Sequence, residues 1–142
     1  MKLIKIEKEL IPYLWSHVRS LLEKPVNRVS DECGLEDVYN CLINGINELW
    51  VLVDEENEII LSATTEFIRY PKQIVFQVIL VGAKNNRLND WVDYCWNDYS
   101  PLIYYAKQNG ASKIQSNVRD GFVKVLDKYN FKKVSTLVVK EI

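Results

Sequence analysis

Histidine occurs once in the 142 residues, at His17. One imidazole leaves almost no material for a histidine-built metal centre or a Ser-His-Asp relay, and no metal site is expected. Cysteine is also scarce. Cys33, Cys41 and Cys95 are odd in number and show no CxxC spacing, which argues against a disulfide framework and for reduced thiols in a cytosol. Five glycines and four prolines leave no linker, repeat or low-complexity stretch. No apolar run approaches the roughly 20 residues of a membrane helix, so no membrane partner is expected. The opening "MKLIKIEKELIPYL" alternates charged with apolar residues and lacks the unbroken apolar core of a signal peptide. Neither sign of charge dominates: 18 basic residues stand against 19 acidic ones, for a net charge of −1. That balance gives no reason to expect a nucleic-acid partner. Lys124, Lys128, Lys132 and Lys133 read as a solvated helix face and strand start.

What is present is an ordinary globular composition, 48% hydrophobic and 26% charged, in a length that suits a single domain spanning 1–142. "KLIKIE" alternates with period two and predicts a first strand. Leu10, Leu14, Val18, Leu21 and Leu22 then follow helical spacing, with Pro25 expected to end that helix. A second helix carries Leu35, Val38, Tyr39, Leu42, Ile43 and Ile46 on one face, with Glu36 and Asp37 at its positive end. "ELWVLVDEENEIILSATTEFIRYP" predicts a hairpin about "DEENE", and "YPKQ" the next turn. "IVFQVILVGA" is apolar on both faces except Gln77, as a central strand is. A stripe of Trp91, Cys95, Tyr99, Leu102, Ile103 and Ala106 predicts a helix kinked or split by Pro101, with Gly110 as its left-handed stop. "SKIQSNV" reads as a strand, "DGFVKVLDKYNF" as a helix and "KKVSTLVVKEI" as a closing strand. The predicted fold is α/β with a mixed sheet, in the order β-α-α-β-β-β-α-β-α-β.

That order resembles the GNAT (Gcn5-related) N-acetyltransferase fold. Several phrases sharpen the likeness: "LWV", then "TTEFIRYP", "ILVG" with a short loop before "DW", "YYAKQNGASKIQ", and "LDKYNFKKVSTLVVKEI". In this order they resemble a group of GNAT-like proteins common in tailed bacteriophages. The likeness covers nearly the whole chain and is most specific from Leu35 onward. It implies acetyl-CoA as cofactor, an acceptor amine on a small molecule or protein, and a place in a host cytoplasm or in association with a virion. A homodimer or another phage protein stands as an open macromolecular partner.

In active GNAT enzymes a Q/R-x-x-G-x-G/A loop between the fourth strand and third helix binds the pyrophosphate of CoA. Such a loop needs inward backbone N–H groups, close approach and a helix N-terminus. Here the segment is "VGAKNNRLND". Val81, Gly82, Ala83, Lys84, Asn85, Asn86 and Arg87 are the residues that the resemblance places against the cofactor, with Asn117 and Arg119 flanking its pantetheine. Gly82 and Ala83 come at the strand's end, and asparagines hold the later positions, where asparagine tolerates left-handed backbone. The bland alternative is a solvated loop in which Asn89 or Asp90 caps the helix.

Acyl transfer to an amine needs a base, a strand N–H to polarise the thioester carbonyl, and a proton for the departing thiolate. Glu66 and Gln77 are the polar groups nearest the expected cleft, with Glu66 the candidate base. Many GNAT enzymes use a tyrosine five residues before the phenylalanine of a "GF" pair. Counting back from Phe131 gives Leu126, and Asn130 replaces the glycine. Tyr129 is the candidate substitute. Trp96 and Tyr104 lie partly off the apolar stripe and suggest an exposed aromatic interface. Two functions stay open: an acetyl-CoA-dependent N-acetyltransferase, or a catalytically silent GNAT fold used for binding or in a virion.

Overall fold

The meander predicted around "DEENE" and "YPKQ" forms the centre of the molecule. The computed structural model describes residues 1–142. Strand β1 (Lys2–Ile6) leads through a short 3-10 turn into helices α1 (Ile11–Arg28) and α2 (Leu35–Ile43). Strands β2 (Glu48–Val53), β3 (Ile59–Arg69) and β4 (Ile74–Ala83) follow, then α3 (Leu88–Cys95), α4 (Pro101–Gln108), β5 (Ala111–Ser116) and α5 (Asp120–Asp127). The sheet order is β1-β2-β3-β4-β5, antiparallel up to β4 and parallel between β4 and β5.

Local chemistry fixes the turns. Asp54 Oδ1 accepts from the N–H groups of Glu56 and Glu58 at 2.9 and 3.0 Å, and Asn57 takes a left-handed φ of 62°. This closes the β2–β3 hairpin with a residue suited to that backbone. In α2, Asp37 accepts from the Gly34 N–H at 2.9 Å, capping the helix start.

Helices cover both faces. Val18, Leu22 and Val26 of α1 and Leu42 of α2 bury against Leu49, Val51 and Leu80. On the other face Trp91, Val92 and Cys95 of α3 and Leu102 of α4 pack on Trp50, Leu61 and Phe76. No helix is long and apolar enough to cross a membrane.

Several expectations are corrected. Pro25 does not end α1, which runs three residues further to Arg28. Burial of Pro25 and Val26 holds the helix together where the proline rule alone would stop it. Pro101 does split the next helix, serving as the first residue of α4 behind Ser100, whose hydroxyl accepts from the Leu102 N–H at 3.2 Å. The break takes Tyr99 out of the predicted apolar stripe and leaves it 95% exposed. Trp96, expected partly outside, is buried between Trp91 and Phe131, with ring centroids 5.7 and 4.9 Å away. Gly110 is the left-handed stop at φ 81°. The closing strand does not form: residues 131–142 have no regular structure, because a β-favouring sequence becomes a strand only beside another strand.

Candidate active site

The register between strands locates the point where β5 stops pairing with β4, which is the candidate crevice. β5 pairs with β4 from Ile74 to Val78, where Val78 faces Ser116, and goes no further. Beyond that point the chain after β5, Asn117 to Arg119, and the β4 residues from Ile79 to Ala83 part company. At this same place β4 carries a bulge. Thr64 faces Leu80 and Thr65 faces Val78, so Ile79 is an extra residue without a partner in either neighbouring strand. A bulge re-aims the strand and frees backbone hydrogen-bonding groups.

The loop after β4 forms one end of the crevice. The Lys84 N–H bonds the Ile60 carbonyl at 2.9 Å, and the Arg87 N–H bonds the Lys84 carbonyl at 3.1 Å. The N–H groups of Asn85, Asn86, Leu88 and Asn89 have no protein acceptor, and Asn86 has a left-handed φ of 61°. They lie next to the start of α3, whose dipole favours an anion there. The expected capping residues are not the cap. Arg87 occupies that position without a side-chain cap bond, and Asn89 and Asp90 lie inside the first turn.

The loop's two cations already have partners. Lys84 Nζ lies 3.0 Å from Glu58 Oε2, and Arg87 Nε lies 2.7 Å from Asp90 Oδ2. Arg119, exposed at the start of α5, has no ion pair. Gly82 is turned toward α1, where a Cβ would overlap the Leu21 carbonyl oxygen. Val81 and Ala83 pack toward the opposite, α3–α4 core.

The candidate base is placed beside the crevice. Glu66 is half-buried and faces Gln77 across the β3–β4 pair, two residues before the bulge on β4. Cross-strand neighbours of this kind have Cβ atoms about 5 Å apart. Gln77 Oε1 accepts from Gln115 Nε2 at 2.8 Å, so a polar row crosses β3, β4 and β5. Tyr129 is engaged elsewhere: its hydroxyl donates to Asp93 Oδ1 at 2.8 Å, beside Lys128 Nζ at 3.2 Å from the same oxygen. The bond to Asp93 raises the Tyr129 hydroxyl above the ordinary tyrosine range, and the bonds from Tyr129 and Lys128 lower the Asp93 carboxyl. Leu126 is buried in the core.

One polar group escaped the sequence reading. Glu48 Oε2 accepts from the Thr65 hydroxyl at 2.8 Å, and Thr65 Oγ1 accepts from the Trp50 indole N–H at 3.0 Å. Burial raises the Glu48 carboxyl above the usual range. Tyr105 lies against Trp50 at 5.5 Å between ring centroids, its hydroxyl raised by burial and then by Glu48 and Glu7. The only sequence signal was an acidic residue opening an otherwise apolar strand.

No family model and no curated protein matches the sequence. Solved structures do match along the full length. Glucosamine-6-phosphate N-acetyltransferase of Arabidopsis thaliana is 12% identical with a TM-score of 0.65, covering 99% of this chain and 97% of that one. The fold is that of the GNAT acetyltransferases. An acetyltransferase of Trypanosoma brucei is 12% identical at a TM-score of 0.64, over 99% of both chains. A predicted acetyltransferase of Clostridium acetobutylicum, in a structure with acetyl-CoA, is 17% identical at 0.61, over 99% of this chain and 95% of that one. At these identities the likeness carries the GNAT architecture.

Proposed function

We propose that the protein is an acyl-CoA-dependent N-acetyltransferase of the phage type that its sequence phrases resemble, acting on an amine. The observation that carries the proposal is the coincidence of the Ile79 bulge with the point where β5 leaves β4. There β4 loses its β5 neighbour and carries one residue without a register partner. The four free N–H groups between Asn85 and Asn89 are donors suited to the pyrophosphate of CoA, and the unpaired Arg119, which the resemblance places beside the pantetheine, is here given a phosphate contact instead. The Ile79 N–H donates to the thioester carbonyl oxygen as the amine nitrogen attacks its carbon. Glu66 takes the amine proton through a water, with Gln77 orienting that water. The carbon–sulfur bond then breaks, and the thiolate collects a proton from solvent in the crevice.

A second reading has its own support. Lys84 and Arg87 are held by carboxylates, Tyr129 is bonded to Asp93, and Leu126 fills the position where the resemblance would place a tyrosine. These features suit a GNAT fold retained for binding. Calorimetric titration of acetyl-CoA and CoA, with desulfo-CoA as control, separates the two. Saturable binding at one site per chain supports the transferase, and absence of heat and of thermal shift at millimolar ligand supports the silent fold.

A further inference from the structure

Strand β1 has β2 as its only neighbour, so the N–H and C=O groups on its outer side have no strand partner. A groove of about 360 Å³ lies along that side, and three consecutive residues, Lys2, Leu3 and Ile4, line it. Successive side chains of a strand point to opposite faces. Here Leu3 is buried in the core while Lys2 and Ile4 are exposed. Only a groove that follows the strand's edge meets all three.

The opposite wall is the break between α3 and α4, with Tyr94, Tyr99 and Pro101. Asn97 holds this wall in shape. Its side-chain amide donates to the carbonyls of Asp93 and Tyr94 at 3.0 and 3.1 Å, and its Oδ1 accepts from the Tyr99 N–H at 2.9 Å. The wall is therefore set before anything binds, which spares a ligand the cost of ordering it. The chemistry of the groove is one-sided. Lys2 Nζ has no ion pair, and the hydroxyls of Tyr94 and Tyr99 have no hydrogen bond within the protein. The Met1 ammonium, also on the groove, lies 3.4 Å from Glu55. No acidic residue lines it.

We propose that the β1 edge and its tyrosine wall dock an extended, acidic segment of another protein. The backbone of the segment pairs with β1, and its carboxylates meet Lys2 and the two tyrosine hydroxyls. A lysine on an open edge discourages the addition of apolar strands, so the residue that guards β1 also selects an acidic partner. A second copy is a poor occupant, because β1 against β1 would set Lys2 and Lys5 of each strand against those of the other. The groove and the crevice lie at opposite sides of the sheet, so docking does not depend on acyl transfer.

Two fluorescently labelled peptides of about seven residues, the length of a typical strand, test this. One alternates valine with glutamate and the other valine with lysine, both blocked at each end. Titrating the full chain into each and reading anisotropy should give saturable binding of the glutamate peptide alone. Methylating every backbone nitrogen of that peptide removes its ladder donors and should abolish binding. Lys2→Glu and Tyr99→Ala should each weaken binding by about tenfold or more. Both side chains are exposed, so both variants keep the fold. In the complex, hydrogen exchange should slow at β1 amides and stay unchanged at β5. Absence of binding at millimolar peptide, equal binding of the two peptides, or binding that survives methylation or both substitutions would overturn the proposal. So would slowed exchange at β5 in place of β1.

Discussion

The carbonyl of Leu21 faces the α-carbon of Gly82 so closely that a methyl group at Gly82 would overlap it. Pro25 lies four residues after Leu21 and has no N–H to return to that carbonyl within α1. Helix and strand therefore meet where one lacks a donor and the other lacks a side chain. The glycine that the resemblance places in the cofactor loop also serves as the seat of α1.

Gly82→Ala should destabilise the protein by about 1–3 kcal/mol, the usual cost of overpacking, and towards the upper end because the obstacle is backbone. A urea unfolding midpoint well below that of the wild type checks this. An unchanged midpoint would mean that α1 lifts off the sheet freely.

The crevice cations should differ in worth. Arg119→Ala is expected to weaken CoA binding by about 1.5–3 kcal/mol, the range for hydrogen bonds to charged groups. Lys84→Ala should cost less, since Glu58 already holds that ammonium in an exposed pair. Titrating CoA into each variant gives the order, and a larger loss from Lys84→Ala would reverse the assignment.

Glu48 should give stability a particular dependence on pH. Its folded carboxyl is raised by burial, so between its unfolded and folded values the folded state holds more protons. Stability therefore falls as pH rises through that window and levels off above it. Glu48→Gln keeps an acceptor for Thr65 and removes the charge, so its unfolding midpoint should stay flatter across the acid-to-neutral range. Parallel urea titrations of the two proteins test this, and identical pH profiles would rule it out.

Cys95 is fully enclosed, and burial pushes its thiol far above the ordinary range. Cys33 and Cys41 are only half-buried. A thiol reagent should label those two in the native protein and reach Cys95 only after denaturation, as peptide mapping by mass spectrometry would show.

Most of the sheet was legible because its signals are local. Alternation in "KLIKIE", the acidic turn between β2 and β3, and the apolar run of β4 each lie within one short stretch. The extension of α1 past Pro25 was not legible, because it depends on Val26 being buried by residues distant in sequence. The missing closing strand shows the same limit in reverse: propensity supplies a candidate, and only a neighbouring edge makes it a strand. Near the candidate site, local signals were enough to expect a loop after β4 and Glu66 on the strand before it. They could not give the Ile79 bulge, which exists only as a mismatch of register between β3 and β4. Nor could they show Lys84 paired with Glu58, 26 residues away.

The single parallel pairing in the sheet has a consequence for the order of assembly. β2, β3 and β4 join through short turns, so their contacts close small loops and can form early. β5 reaches β4 only after α3 and α4 have crossed the sheet, which makes its pairing the costlier closure. The crevice is thus bounded on one side by early structure and on the other by late structure. Amide protons of β5 should exchange with solvent sooner than those of β3, placing the route for opening the crevice in the wall that folds last.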